Sequence, residues 1–150
     1  KIFFEILGLK IDTYVSELGR TIGEELLTPT RIYSETIHSI IKDLSVFGLA
    51  HITGGGITDN IIRVIPENCN VILRKHSWEV PPVFTYLQQA GNISEQEMMR
   101  TFNNGIGLIA VVHENSAQEI LDRLIAMKEK AFFIGEVVER KGTEERVQWV

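Results

Sequence analysis

Leu49-Ala50-His51-Ile52-Thr53-Gly54-Gly55-Gly56-Ile57-Thr58 is the stretch on which the fold turns. Leu49 to Ile52 is a short apolar strand that runs straight into three glycines. A helix is predicted from about Thr58 to Ile65, closed by Pro66. A strand that feeds a glycine turn and then a helix belongs to a layered domain of strands and helices.

Upstream, Thr28 is placed as an N-cap and Pro29 as the first residue of a helix. Ile32, Tyr33, Ile37, Ile40, Ile41 and Leu44 then recur at helical spacing until Gly48 stops them. Residues 1–27 are the least regular part. A short apolar segment from Ile2 to Leu9 leads into a polar connection through Gly19 and Gly23.

Downstream, Asn70 to Lys75 is strand-like, and Pro81-Pro82 opens a helix that Gly91 closes. Ser94 and Glu97 form a capping box for a short helix. Gly105 to His113 reads as a buried strand, and Asn115 or Ser116 caps a long helix with Ile120, Leu121, Leu124 and Ile125 on one face. Two strands close the chain, Phe132 to Val138 and Glu145 to Val150, as a hairpin turning at Lys141-Gly142. That hairpin makes a wholly parallel sheet unexpected, and the order of elements reads as α/β or α+β.

Composition agrees with one folded domain. The 150 residues are 44% hydrophobic and 23% charged, enough apolar material for a core and too much for disorder. Starting on Lys1-Ile2, with no initiator Met and already in an apolar pattern, the chain reads as a piece of a longer one. A net charge of −5 with scattered basic residues argues against a nucleic-acid surface. The lone Cys69 forms no internal disulfide, which favours a reducing, cytoplasmic setting. The longest apolar run, Ile106 to Val112, is far short of the roughly twenty residues of a membrane span.

Half of the twelve glycines fall in two windows, Gly48 with Gly54 to Gly56, and Gly105 with Gly107. In the first, bare glycine backbone ahead of a helix N-terminus suits a phosphate or carboxylate, with His51 and Thr53 at its lip. The same residues also suit a flexible turn, with His51 hydrogen-bonded in the core. The second window is Arg100-Thr101-Phe102-Asn103-Asn104-Gly105-Ile106-Gly107. It carries polar groups to a strand end, where Asn bonds an amide or ribose, or else it simply stops a helix and turns. His38, His76 and His113 share no metal-ligand spacing, and His38 is expected in solvent. Glu24-Glu25 and Glu144-Glu145 are expected as exposed faces, and Trp78 and Trp149 as packing residues.

Taken together, several motifs resemble one family. Leu27-Thr28-Pro29-Thr30-Arg31-Ile32-Tyr33, the run from Gly48 to Gly56, Asn60-Ile61 and Arg63-Val64-Ile65-Pro66 occur in order with Trp78, Pro82 and Arg100-Thr101-Phe102-Asn103, then Gly105 and Gly107. In this combination the chain resembles the second half of aminoimidazole ribonucleotide synthetase, the phosphoribosylformylglycinamidine cyclo-ligase of purine biosynthesis. Relatives in the same ATP-using superfamily, among them thiamin monophosphate kinase, selenophosphate synthetase, formylglycinamidine ribonucleotide synthetase and a hydrogenase maturation protein, share the two-half plan without this set. A non-catalytic binding module is the alternative of a different kind.

The resemblance implies an α+β fold: a three-layer α/β/α domain with a mixed sheet, partly ferredoxin-like. It implies cyclisation of formylglycinamidine ribonucleotide to aminoimidazole ribonucleotide with ATP converted to ADP and phosphate. ATP and magnesium are held mainly by an absent N-terminal half, the full-length protein is a homodimer, and the isolated domain is inactive. On this reading His51 and Thr53 are catalytic, His51 either binding or also moving a proton. Gly54, Gly55, Gly56, Asn60, Arg100, Thr101, Asn103, Gly105, Arg31 and Arg63 bind substrate or phosphate, and no residue binds a metal. Asn104 stands where the family often has Met or Cys, and is expected to make the loop more polar.

Overall fold

The structure is a computed structural model that describes residues 1–142 and 145–150. Its centre is an antiparallel ladder between β3 (Val46–His51) and β5 (Leu108–Val112), in which His51 stands opposite Leu108 and Ala50 opposite Ile109. Strand β4 (Cys69–Leu73) is the middle of a second, mixed sheet, antiparallel to β6 (Gly135–Glu139) and parallel to β7 (Val147–Trp149). With six α-helices among the described residues set around these ladders, the domain is α+β, as the resemblance implies.

The helices are α1 (Ile22–Leu26), α2 (Ser34–Ile41), α3 (Gly56–Ile61), α4 (Pro82–Gly91), α5 (Glu95–Thr101) and α6 (Glu114–Ala126). One core joins β3, β5, α3, β4 and β7 through Ala50, Ile57, Ile61, Val71, Leu73 and Ile109, with Trp78 buried among them. Leu73 and Ile57 are among the most completely enclosed side chains, because they sit where the two ladders and α3 meet.

Several elements depart from the sequence reading. The expected hairpin of the last two strands does not form, because β4 pairs with both of them and lies between β6 and β7. Residues 143 and 144, part of the expected turn region, lie outside the described residues, and so does the expectation for Glu144. The helix expected to be capped by Thr28 starts five residues later, at Ser34 with Tyr33 in the cap position. Thr28 turns its hydroxyl back to the Glu24 carbonyl at 3.3 Å and so finishes α1 instead of starting α2. Gly48 is no helix stop but lies inside β3, at a register irregularity, packed against Val64.

The long helix α6 is capped by His113, whose Nδ1 accepts from the Asn115 N–H at 3.2 Å, and not by Asn115 or Ser116. At α5 the Ser94 hydroxyl accepts from the Glu97 N–H at 3.2 Å, but only this half of the expected capping box forms, the Glu97 carboxylate accepting from the Thr101 hydroxyl instead. Helix α3 ends at Ile61, and shorter-range bonds from Arg63 to Asn60 and from Val64 to Ile61 carry the turn on toward Pro66.

The stretch expected as irregular is built. A π-helical turn over Ile2–Ile6 leads to a hairpin of β1 (Tyr14–Val15) and β2 (Arg20–Thr21), then to α1. Thr21 and Glu24 cap α1 reciprocally, at the same spacing that marks Ser94 and Glu97 in the sequence. Phe3, Val15 and Ile22 make a second small core against Val83, Tyr86 and Leu87 of α4. Across the domain, Arg123 of α6 donates to the Ser39 carbonyl at 2.6 Å and to both Asp43 carboxylate oxygens, tying α6 to the end of α2. Its guanidinium holds the Asp43 carboxyl below the usual aspartate range.

Leu73→Ala opens a cavity where the two ladders meet and is expected to lower stability by about 2–5 kcal/mol. Urea unfolding followed by circular dichroism measures this, and a midpoint equal to that of the unsubstituted chain would show the core to be centred elsewhere.

Candidate functional site

Antiparallel pairing decides where the two glycine windows meet. Because His51 stands opposite Leu108, the residues that follow β3 and the residues that precede β5 leave the ladder at the same end. The Ile52 N–H then donates to the Gly107 carbonyl at 2.9 Å and carries the pairing one step further. Windows some fifty residues apart in sequence are thereby brought side by side.

The first window folds as a tight turn. The Gly56 N–H donates to the Thr53 carbonyl at 3.1 Å, and Gly55, at φ 95° and ψ 0°, has the third-position geometry of a type II turn. Gly56 has φ 58°, and its bare α-carbon lies against the end of α5. A Cβ there would stand 2.6 Å from the Met99 carbonyl oxygen and 2.8 Å from that of Arg100. A Cβ on Gly54 would meet nothing within 4 Å.

Asn60 holds the turn from beneath. It is buried, and its Nδ2 donates to the carbonyls of Gly56 at 2.8 Å, Gly54 at 3.2 Å and Thr53 at 3.4 Å. Asp59 occupies the first turn of α3 with its Cβ close to where one on Gly55 would lie, so a carboxylate already faces the helix N-terminus.

The second window is also a turn. Asn104 and Gly105 have φ of 49° and 96°, both positive as the centre of a type I′ turn requires, and the Ile106 N–H closes it on the Asn103 carbonyl at 2.9 Å. The Asn103 Oδ1 accepts from the Gly105 N–H at 2.9 Å. Asn104 corrects the expectation of a more polar loop surface. Its side chain is buried and donates to the Met98 carbonyl at 3.0 Å, while its own carbonyl accepts from the Trp78 indole at 2.8 Å. The Asn-Gly pair was the sequence signal for this turn.

Outside these turns, His51, Thr53, Gly54 and Gly105 are exposed along one edge. Tyr33 borders that edge and was passed over as a helix-face residue. Its ring meets His51 edge-on at 6.2 Å between centroids, and its hydroxyl lies where a Cβ on Gly107 would stand, so only glycine fits there. Burial pushes the Tyr33 phenol up from its ordinary range, with Arg31 pulling the other way and Glu129 adding to the rise.

The expected arginines are dispersed. Arg31 pairs with Glu129 at 2.7 Å, and the same carboxylate accepts from Thr36 at 2.7 Å. Arg63 follows the C-terminal end of α3, about 10 Å of helical rise from Gly56. Arg100 lines a cleft of about 590 Å³ with Thr58, Lys75, Arg146 and Trp149, which does not include His51, Thr53 or Gly54. The Thr101 hydroxyl donates to Glu97 at 2.6 Å. Trp78 is a packing residue, as expected, and Trp149 donates to Thr58 at 3.2 Å. A larger cleft, about 720 Å³, is walled by apolar residues such as Ile109, Ile120, Leu124 and Phe133 and offers a polar ligand little.

An α+β domain with a strand–triglycine–helix turn set beside an Asn-Gly turn defines a recognisable class. The chain belongs to the family described as AIR synthase related protein, C-terminal domain, which matches residues 3–148. It is 53% identical over 149 residues to a phosphoribosylformylglycinamidine cyclo-ligase of Desulfatibacillum aliphaticivorans, covering 99% of this chain and 43% of that protein. To the cyclo-ligase of Citrifermentans bemidjiense it is 49% identical over 150 residues, again 43% of that protein. The chain thus spans less than half the length of these curated relatives. The crystal structure of E. coli HypE, a hydrogenase maturation protein, has the same fold, with TM-score 0.63 and 24% identity over 85% of this chain and 40% of that one.

Two predictions follow from the geometry of this edge. Gly56→Ala places a methyl against the α5 carbonyls in a left-handed backbone and should cost about 2–5 kcal/mol. Gly54→Ala should stay within about 0.5 kcal/mol, so thermal melts of the two variants separate the packed glycine from the open one. For Tyr33, the unfolded chain gives up its phenolic proton first, so stability is intact below about pH 10 and declines as pH rises through the folded value. Melts between pH 9 and 11.5 should therefore fall more steeply for the unsubstituted chain than for Tyr33→Phe. Equal slopes would mean that Tyr33 is solvated.

Proposed function

We propose that this chain is the C-terminal domain of a phosphoribosylformylglycinamidine cyclo-ligase. Residues 1–150 form one domain that works with an N-terminal half holding ATP and magnesium, in a homodimeric, cytoplasmic enzyme. The observation that carries this reading is identity of 53% running through 149 residues, and hence through both windows of the exposed edge. No helix among the described residues is long and apolar enough to cross a membrane.

The proposed reaction closes formylglycinamidine ribonucleotide into aminoimidazole ribonucleotide. ATP supplies the phosphoryl group that turns the formyl oxygen into a leaving group. The amidine nitrogen bonds to the same carbon, the carbon–oxygen bond breaks, phosphate leaves and the nitrogen loses its proton. The demand on the protein is to hold two ends of a flexible chain together.

In this role the exposed edge receives the substrate. His51 and Thr53 hydrogen-bond the reacting group, and His51 takes up the proton as the general base. Gly54 lets the substrate approach backbone closely. Gly55, Gly56 and Asn60 shape the turn from inside, and Asn103 and Gly105 set the facing wall. Thr101 follows on that wall, whereas Arg100, which lines the other cleft, Arg31, which is paired with Glu129, and Arg63, beyond the far end of α3, stand outside this role. Among the described residues no group of three or more His, Cys, Asp or Glu stands together, and this reading assigns magnesium to the N-terminal half.

The test joins the chain to the N-terminal portion of the Desulfatibacillum aliphaticivorans relative and follows ring formation and ADP release. Turnover is expected in the joined protein and not in the chain alone. His51→Ala should reduce turnover by about 10²–10⁴-fold. A folded joined protein without turnover would remove the proposed activity, and a near-unchanged His51→Ala would remove His51 from the chemistry.

A further inference from the structure

We infer that the Tyr33 hydroxyl is a binding group of the exposed edge, donating a hydrogen bond to a neutral oxygen of the substrate beside His51. This rests on the reaction proposed above and adds to it a residue from outside both glycine windows. Tyr33 holds the cap position of α2, where the Ile37 N–H donates to its carbonyl at 2.8 Å. Its side chain lies across the seam between the windows. The ring meets His51 edge-on, and the hydroxyl ends over Gly107, whose carbonyl accepts from the Ile52 N–H at 2.9 Å.

The hydroxyl, and not the ring alone, is what this arrangement accommodates. Tyr33 is half-buried, and among the described residues its hydroxyl has no hydrogen-bond partner. A phenol so placed gives up part of its hydration without a bond in return, and a ligand oxygen would complete it. Burial keeps its proton on well above neutrality, so it is available as a donor. Gly107 bears on the same point from the other side. Its backbone is not in the left-handed region, so turn geometry does not call for glycine there. Space does: a Cβ would collide with the Tyr33 hydroxyl and stand 3.1 Å from its Cζ.

The segment that carries Tyr33 is fixed in place, although Leu27 to Ile32 ahead of it are exposed. Glu129, just past α6, does this with its two carboxylate oxygens. One accepts from the Arg31 guanidinium at 2.7 Å and the other from the Thr36 hydroxyl at 2.7 Å, so residues on both sides of Tyr33 are tied to one group. The Glu129 side chain is 13% exposed, and its N–H donates to the Leu124 carbonyl at 2.9 Å. A rigid support of this kind is what aims a polar group into a site. The acceptor it fits is an amide or ribose oxygen. A phosphate calls for cations, and Arg31 is already paired while Arg63 stands beyond the far end of α3.

The experiment uses the joined protein described above with formylglycinamidine ribonucleotide as the probe. Calorimetry without ATP reads binding, and ring formation reads turnover. Tyr33→Phe keeps the ring against His51 and removes only the hydroxyl. It should weaken binding about tenfold and raise KM by about the same factor, with kcat within about threefold, as a bond made equally in ground and transition states requires. Melts at pH 7 check that the variant is folded. In NMR spectra of this chain the His51 imidazole signals should stay nearly in place in Tyr33→Phe. A large displacement would mean that Tyr33 only positions His51, and would overturn the direct bond. Equal binding and equal KM in Tyr33→Phe, or no binding by the unsubstituted joined protein, would overturn the inference as well. Ring closure with an equal KM removes the hydroxyl and leaves the proposed reaction standing. Binding that weakens in Tyr33→Phe, with no ring closed by either protein, supports the hydroxyl bond and counts against the proposed reaction alone.

Discussion

The ladder between β3 and β5 is the constraint on which the rest of this domain depends. Once His51 is held opposite Leu108, the triglycine turn and the Asn-Gly turn must leave at the same end, and α3 and α5 must follow and precede them side by side. Helix α5 can then approach α3 only because Gly56 carries no side chain. Trp78 bonds the Asn104 carbonyl and locks the second turn to the core that α3 shares with β4. Pairing, close approach and turn geometry are one arrangement seen at three places.

That arrangement separates residues that shape the edge from residues that face outward. Asn60, Gly55, Gly56 and Asn104 spend their polar groups or their missing side chains on the interior. His51, Thr53, Gly54 and Gly105 are left on the surface. The division matters for charge as well. With Asp59 at the start of α3, Arg31 paired to Glu129 and Arg63 at the far end of the helix, the edge by itself gathers little positive charge. On the proposed reading, cations brought by the N-terminal half would supply what this face lacks.

Parts of this fold could be read from local chemistry. The strand–glycine–helix passage, Pro81-Pro82 opening α4, and Ser94 starting α5 each depend on residues within a few positions, so sequence carries them. The misplacements share one cause. Thr28-Pro29 has every local mark of a helix start, yet the Thr28 hydroxyl is taken by the preceding helix. The last two strands are joined in sequence by Lys141-Gly142, a local mark of a hairpin, yet β4 lies between them and pairs with both. Tyr33 gave no signal as a site residue, since its role is set by Gly107, more than seventy positions away.

What the sequence determined by itself was the class of fold, the two windows from which a site could be made and the family they resemble. The first two rest on short-range rules of turn, cap and periodicity, and the resemblance on the order and combination of the motifs. Which residues of those windows face outward, and which apolar residues are left in solvent, was decided only in three dimensions. The reason is physical: exposure is settled by which distant segment arrives to cover a residue. Asn60 was covered by its own turn, while among the described residues Leu27 and Ile32 were left in solvent.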